Sequence, residues 1–321
     1  MRRTLTTCIV AVAVTCASVA MAEPVAFIVA MKGPVTVAAV KGVAAKASLG
    51  RPLERGDKVT VGSGGTASLF FSDGNIIELS AGSSMTVGGK LSAADAKRIG
   101  PGSGVSNEVF TRVSKFITSD KKQAGLVALS PMRGAPRPPL LIEPRVSALL
   151  SNRPQFAWRS IGGASRYQIT VTNEAGAVWT REVSDTTLAY PADADSLAAG
   201  SDYTWEVMAM SDTGPIPGEG AREQSTFHVL SEGEAEQVRD HLGDIQKAAG
   251  NDSEAGRYLA GSYLVGRGLY ADAARSFEEL VRLAPQSPGP HDALANVYQT
   301  VGLPERAKSE RARAKELSGG K

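Results

Sequence analysis

The sequence predicts a multidomain chain, mainly β with an α-helical C-terminus. Three observations lead there. From residue 25 to about 90, and again from about 140 to 230, apolar and polar residues alternate in short runs separated by turn residues, the mark of half-buried strands. At Ser231 the alternation stops and apolar residues recur at helical spacing. Beyond that helix the sequence repeats with a period of 34 residues. A length of 321 residues gives room for two or three domains, and 34 glycines with only 6% aromatic residues favour several small, turn-rich units.

Residues 1–22 have the form of a signal peptide. Arg2 and Arg3 supply a positive start, Cys8 to Val14 is an unbroken apolar core, and Ala20-Met21-Ala22 is a small-x-small cleavage site. The apolar stretch falls short of the ~20 residues that a membrane helix needs, so removal is expected over a retained anchor. The Arg pair matches twin-arginine export poorly, and the residues before Cys16 match a lipidation signal poorly. Both cysteines leave with this segment, which excludes disulfide and thiol chemistry from the remainder. Arg2 and Arg3 also account for the whole formal excess of +2, so the chain beyond residue 22 is neutral. Neutrality predicts no nucleic-acid partner, and no later segment is long and apolar enough to span a membrane.

Residues 23–90 form the first predicted β-domain, with runs such as FIVAMKG, VTVAAV and TASLFFSDGNIIELS. Asp73-Gly74 between two apolar runs is a hairpin signal. Gly62-Ser63-Gly64-Gly65-Thr66-Ala67 fits the loose pattern G-x-G-x-x-A, but a dinucleotide site needs a helix after it, and SLFF follows. Here the chain resembles the FecR-type domain of bacterial envelope proteins. The likeness rests on GPVTV (33–37), Leu53-x-x-Gly56-Asp57, VTVGSGGTASLFFSDGNIIEL (59–79) and Ser84-Met85-Thr86-Val87, about 65 residues in all. It implies a compact β-fold that binds or senses without catalysis. Its best-known members carry a cytoplasmic tail and a membrane helix ahead of this domain and regulate a sigma factor. The residues before 23 match neither part.

A helical extension is predicted over 91–130. Residues 91–99 read as a short helix and Gly100-Pro101-Gly102 breaks it. Ser106 then caps a second helix with Val109, Val113, Phe116 and Ile117 on one face. That face is expected to cover the β-domain, the alternative being a partner-binding helix. Residues 131–145, rich in proline, read as an extended linker or a proline-rich ligand.

Residues 146–230 predict a β-sandwich. Tyr167, Ile169 and Val171 alternate with Gln168, Thr170 and Thr172, and Leu197-x-x-Gly200-x-x-Tyr203-x-Trp205-x-Val207 follows. This run resembles fibronectin type III-like, immunoglobulin-type domains. The resemblance implies that the Tyr203 hydroxyl bonds back to upstream backbone and that Trp158 and Trp205 are core, the alternative being an aromatic platform for sugars. Trp179, beside the Gly176 turn, is the tryptophan expected at the surface. Arg55-Gly56-Asp57, in the other β-domain, reads as a turn.

Residues 231–321 predict a helical domain, with a helix over 232–249 and repeats at about 254–287 and 288–321. Gly261, Leu264, Gly268, Tyr270, Ala273, Phe277, Leu283 and Pro285 in the first copy resemble the tetratricopeptide repeat pattern. The second copy departs from it at Arg311. Two copies are fewer than the three or so that stand alone, so helix 232–249 is expected to dock on the first and complete its core. The resemblance implies a concave face that binds a protein or peptide through Tyr258, Ser262, Val265, Asp292, Asn296 and Gln299. Asn296 suits an extended backbone because its amide both donates and accepts. The competing role is packing or self-association.

No constellation for chemistry emerges. His228, His241 and His291 fall on different elements, too scattered for a metal site, and no phosphate loop, nucleophile elbow or cofactor motif is present. Asp202, Glu206 and Asp212 are the acidic residues nearest to a glycosidase pair. The expectation is therefore a non-catalytic envelope scaffold without cofactors, periplasmic or secreted in a Gram-negative bacterium. Its partner would be a protein, an envelope polymer or a membrane protein. The alternatives are a sensory component and a cell-wall or polysaccharide enzyme.

Overall fold

The computed structural model describes residues 23–40, 42–89, 96–99 (backbone only), 105–118, 141–218, 221–250 and 252–319. The signal sequence 1–22 and most of the proline-rich stretch lie outside the described residues. The chain is mainly β with an α-helical C-terminus.

The first β-unit contains β1 (Ala26–Lys32), β2 (Val35–Ala38), β3 (Ala45–Lys46), β4 (Pro52–Leu53), β5 (Lys58–Val61), β6 (Thr66–Phe71), β7 (Ile76–Leu79), β8 (Ser84–Thr86) and β9 (Ala96–Ile99). They form two antiparallel sheets, ordered β4-β1-β6-β7-β9 and β3-β2-β5-β8. Between the sheets lie Ile28, Val37, Leu53, Val59, Val61, Leu69 and Leu79. β1 is buried on both faces, because Phe27 and Val29 point away from that core into a second one. This explains its continuous apolar run. Gly62–Gly65 is a turn between two strands, as expected, and Arg55-Gly56-Asp57 is also a turn, with Asp57 accepting from the Glu54 amide at 3.0 Å.

The reading of 91–99 as a helix is corrected. Ala96–Ile99 is a strand paired with Ile76–Leu79 of β7. An open sheet edge offers a full row of backbone partners, and four residues of helix offer none that compete. Residues 91–95 lie outside the described residues. The second helix of the extension is α1 (Asn107–Thr118), where Ser106 accepts from the Val109 amide at 3.4 Å.

The second β-unit holds β10 (Leu141–Glu143), β11 (Ser147–Leu149), β12 (Gln155–Trp158), β13 (Arg166–Asn173), β14 (Gly176–Val183), β15 (Thr187–Ala189), β16 (Ser201–Ser211), β17 (Gly214–Pro215) and β18 (Arg222–Val229). Sheets β10-β12-β15 and β11-β18-β16-β13-β14 enclose one core around Phe156, Trp158, Ile169, Trp205 and Phe227. The Tyr203 hydroxyl accepts from the Ala198 amide at 2.8 Å, and Trp205 donates to the Pro144 carbonyl at 2.7 Å. One boundary and one side chain differ from expectation. The unit begins earlier than 146, since Leu141–Glu143 pairs with β12. Trp179 is buried, not exposed: it packs on Phe156 (6.3 Å) and Tyr190 (5.6 Å). A turn residue nearby does not decide which face of the strand a side chain takes.

The helices are α2 (Glu232–Ala249), α3 (Glu254–Gly266), α4 (Tyr270–Leu283), α5 (Pro288–Thr300) and α6 (Pro304–Leu317). Corresponding helices begin 34 residues apart, Glu254 with Pro288 and Tyr270 with Pro304. A capping box of Ser231 and Glu234 starts α2. That helix buries Ala235, Val238, Ile245 and Ala248 in the same cluster as Leu259 and Tyr263, with His241 bonded to the Tyr263 hydroxyl at 2.8 Å. Ala273 and Ala307 are fully buried at the helix crossings. Gly261 is required there too: a Cβ would lie 2.6 Å from the Phe277 ring.

Gly261→Val is therefore expected to cost roughly 1–3 kcal/mol through overpacking, read as a lower midpoint in chemical denaturation. Tyr203→Phe, which strands the Ala198 amide, is expected to cost about 1–3 kcal/mol by the same measurement.

Candidate functional site

A cleft of about 2470 Å³ opens between the first β-unit, α1 and the inner faces of α3 and α5. Its existence follows from how α1 is held. Phe110 packs against Phe27 (5.2 Å) and Phe70 (5.6 Å) of the β-unit. From the next turns of the same helix Phe116 stacks on Phe277 of α4 at 5.8 Å. Arg112 donates to the Gly266 carbonyl at the end of α3, and Arg267 pairs with Glu108 at 3.4 Å. Helix α1 thus binds the β-unit with one side and the repeat with the other. The turn before β4 closes on the helices as well: Leu49 packs over Gly289, and a Cβ at Gly50 would overlap the Tyr258 hydroxyl.

Five of the six residues expected on the binding face line this cleft: Tyr258, Val265, Asp292, Asn296 and Gln299. Tyr258 is buried beneath the Gly50 turn, and burial pushes its hydroxyl pKa well above the usual tyrosine range. Val265, Asn296 and Gln299 are half-buried and Asp292 is exposed. Ser262 lies apart from them. It is fully buried, and its hydroxyl donates to the Tyr258 carbonyl at 2.7 Å, closing on its own helix. The Gln299 carbonyl oxygen accepts from Arg311 at 3.1 Å, which leaves its amide as a donor. Arg311 is the departure from the repeat pattern, and here it orients a lining residue.

Sequence reasoning missed the second wall. Leu49, Gly50, Lys115, Phe116 and Ile117 line the cleft from the β-unit side. Helical spacing had already marked Phe116 and Ile117 as one face, but only tertiary packing brings that face to the repeat. Lys115 supplies a positive charge opposite Asp292, and Lys32 lies near Glu254, whose carboxyl is raised by burial against the pull of Lys32. Leu283, half exposed at 46%, and Leu317 give the cleft an apolar rim. The lining thus offers amides, hydroxyls, charges of both signs and apolar contact area, a set suited to holding a ligand.

Elsewhere four of the titratable residues singled out in the sequence are held in local pairs. Asp202 binds His228 (2.9 Å), Glu206 binds Arg222 (2.6 Å), and His291 binds Glu310 (2.6 Å). Among the described residues no group of three or more metal-ligating side chains converges, and no helix is long and apolar enough to cross a membrane.

No protein-family model matches the sequence, and no curated protein matches it. Among solved structures there is similarity to a β-1,2-glucanase from Parabacteroides distasonis, at 10% identity and a TM-score of 0.23. The match covers 92% of this chain and 59% of the glucanase, so the chain spans less than two thirds of that protein. A likeness at that level carries no argument about fold or activity.

The seal over Tyr258 is testable. Gly50 has φ +74° and no room for a Cβ, so Gly50→Ala is expected to loosen the β-unit from the helices. Amide hydrogen exchange should rise in α1 and α3 while the second β-unit keeps its protection. Equal protection in both proteins counts against the seal.

Proposed function

We propose that this chain is a non-catalytic, exported scaffold of a bacterial envelope that holds a protein partner in the cleft. One observation carries the reading. The residues expected on the concave face of tetratricopeptide-like repeats meet, in a single cleft, a wall from the FecR-like β-unit. The two parts with binding potential therefore act as one site. A half-buried amide at Asn296, an oriented amide at Gln299 and an apolar rim suit an extended polypeptide, whose backbone donates and accepts while alternate side chains need apolar cover.

The fibronectin III-like sandwich takes a different part. Tyr203 and Trp205 spend their polar atoms on internal backbone, which supports a structural spacer in preference to an aromatic sugar platform. Export rests on the signal-like residues 1–22, and the envelope setting on the FecR-like resemblance.

Asn296→Ala tests the reading. Asn296 is half-buried and its side chain makes no hydrogen bond within the described residues, so the substitution should change stability by no more than about 0.5 kcal/mol. Crosslinking in intact cells, with identification of the attached proteins, is expected to lose its principal adduct in the variant. An unchanged adduct pattern rejects the cleft as the binding site.

A further inference from the structure

Away from the cleft, charges gather where the sandwich meets the helices. Glu143 on β10 has a side chain only 24% exposed, and its cation is Arg275 on α4, at 3.5 Å. Arg275 makes its shorter contact with Asp272 of its own helix, at 2.8 Å. The other oxygen of Asp272 is buried without a hydrogen-bond partner. Glu278, further along α4, accepts from the Tyr298 hydroxyl at 2.7 Å. Arg306 of α6 lies over the Tyr298 ring, 5.5 Å from its centroid. Arg145, near Glu143 in sequence, is engaged by Glu223 of β18 at 2.5 Å. Glu143 and Asp272 thus share the Arg275 guanidinium across the junction, the shorter contact going to Asp272, while Arg145 is taken by Glu223 and Glu278 and Arg306 meet at Tyr298.

Around this cluster lie the bonds that dock the two parts. The Ala148 amide donates to the Gly268 carbonyl at 2.9 Å, the Ala271 amide donates to the Ser147 hydroxyl at 3.2 Å, and Arg145 Nε donates to the Val301 carbonyl at 2.9 Å. Any imbalance of charge beside them bears directly on whether they stay closed.

We propose that docking of the sandwich on the helices is proton-linked through Glu143: a proton taken up there relieves the excess negative charge and tightens the junction. Burial, the largest influence, raises the Glu143 carboxyl above its ordinary range. Arg275 and Arg306 oppose that rise, while Glu278 and Asp272 add to it. The sign follows from linkage. A carboxyl raised in the docked state favours docking fully below its ordinary pKa, and that contribution is lost as pH rises through the raised value. The junction is therefore firmer below the ordinary carboxylate pKa than above the raised one, whether or not the cleft binds a ligand.

The experiment is amide hydrogen exchange on the full chain from about pH 4, below the ordinary carboxylate pKa, to about pH 8, corrected for the intrinsic pH dependence of exchange. In the wild type, protection at Ala148 and Ala271 is expected to fall severalfold as pH rises. In Glu143→Gln, which keeps the shape of the protonated acid, protection should stay high and flat across the range. Parallel profiles in the two proteins overturn the proposal. Should Glu143→Gln fail to fold, Glu278→Gln decides: a shallower pH dependence than the wild type supports the linkage, and one equally steep overturns it.

Discussion

Helix α1 has to bury two sides at once, and the arrangement of the N-terminal unit and the helices depends on it. Twelve residues of helix are marginal by themselves in water, and α1 gains its stability from what it touches. On one side Val109, Phe110 and Val113 close over Phe27 and Phe70 of the β-unit; on the other Phe116 reaches Phe277 of the repeat. Each large side chain taken fully out of water contributes about 1.5–3 kcal/mol, enough for three or four of them to fix the relative placement of two units. Without α1 the outer face of β1 and β6 would be an exposed aromatic patch, and the two-copy repeat would have an unfinished core. A single short helix removes both deficits.

The same packing makes the cleft composite. Because α1 and the Leu49-Gly50 turn approach the inner face closely, the repeat offers only part of its concave surface to solvent. Tyr258 and Ser262 at the start of that surface are consumed by the fold, while Asp292, Asn296 and Gln299 on α5 stay accessible. The exchange of an open groove for a half-filled one gains a second wall. A ligand held there, as proposed, would be contacted from two directions, and preorganised walls reduce the entropy lost on binding.

Much of this was legible in the sequence, because much of it is written in local pattern. The 34-residue period located both helical hairpins, and the spacing of Val109, Val113 and Phe116 located α1. Alternation along Tyr167–Val171 and Tyr203–Val207 located strands of the sandwich, and the resemblance carried by the second run implied that Trp158 and Trp205 are core. What was not legible depends on partners far away in the chain. Ala96–Ile99 becomes a strand because β7 presents an unpaired edge. Trp179 turns inward because Phe156 and Tyr190 form a surface for it. Ser262 has the right position in the repeat for a binding residue, but its hydroxyl turns back to the Tyr258 carbonyl. Nothing in the repeat itself records that a turn at Leu49-Gly50 would settle over Gly289 and Tyr258, so the second wall of the site had no signal in the sequence around it.

The helical part is thus held at two junctions of different balance. The contact with α1 and the first β-unit centres on an apolar cluster, with the Arg112–Gly266 bond and the Arg267–Glu108 pair at its edge. The contact with the sandwich combines apolar packing at Ile142, Ala148, Leu150 and Ala271 with backbone bonds at Ala148 and Ala271 set among Glu143, Arg145, Asp272 and Arg275, and partly buried charges of this kind respond to pH and to salt. The proposed proton linkage concerns the second junction. The cleft lies at the first, between α1, the first β-unit and the helices. A proton-linked loosening of the sandwich, as proposed, would act at Glu143 and Arg275, away from the α1 and β-unit walls of the cleft.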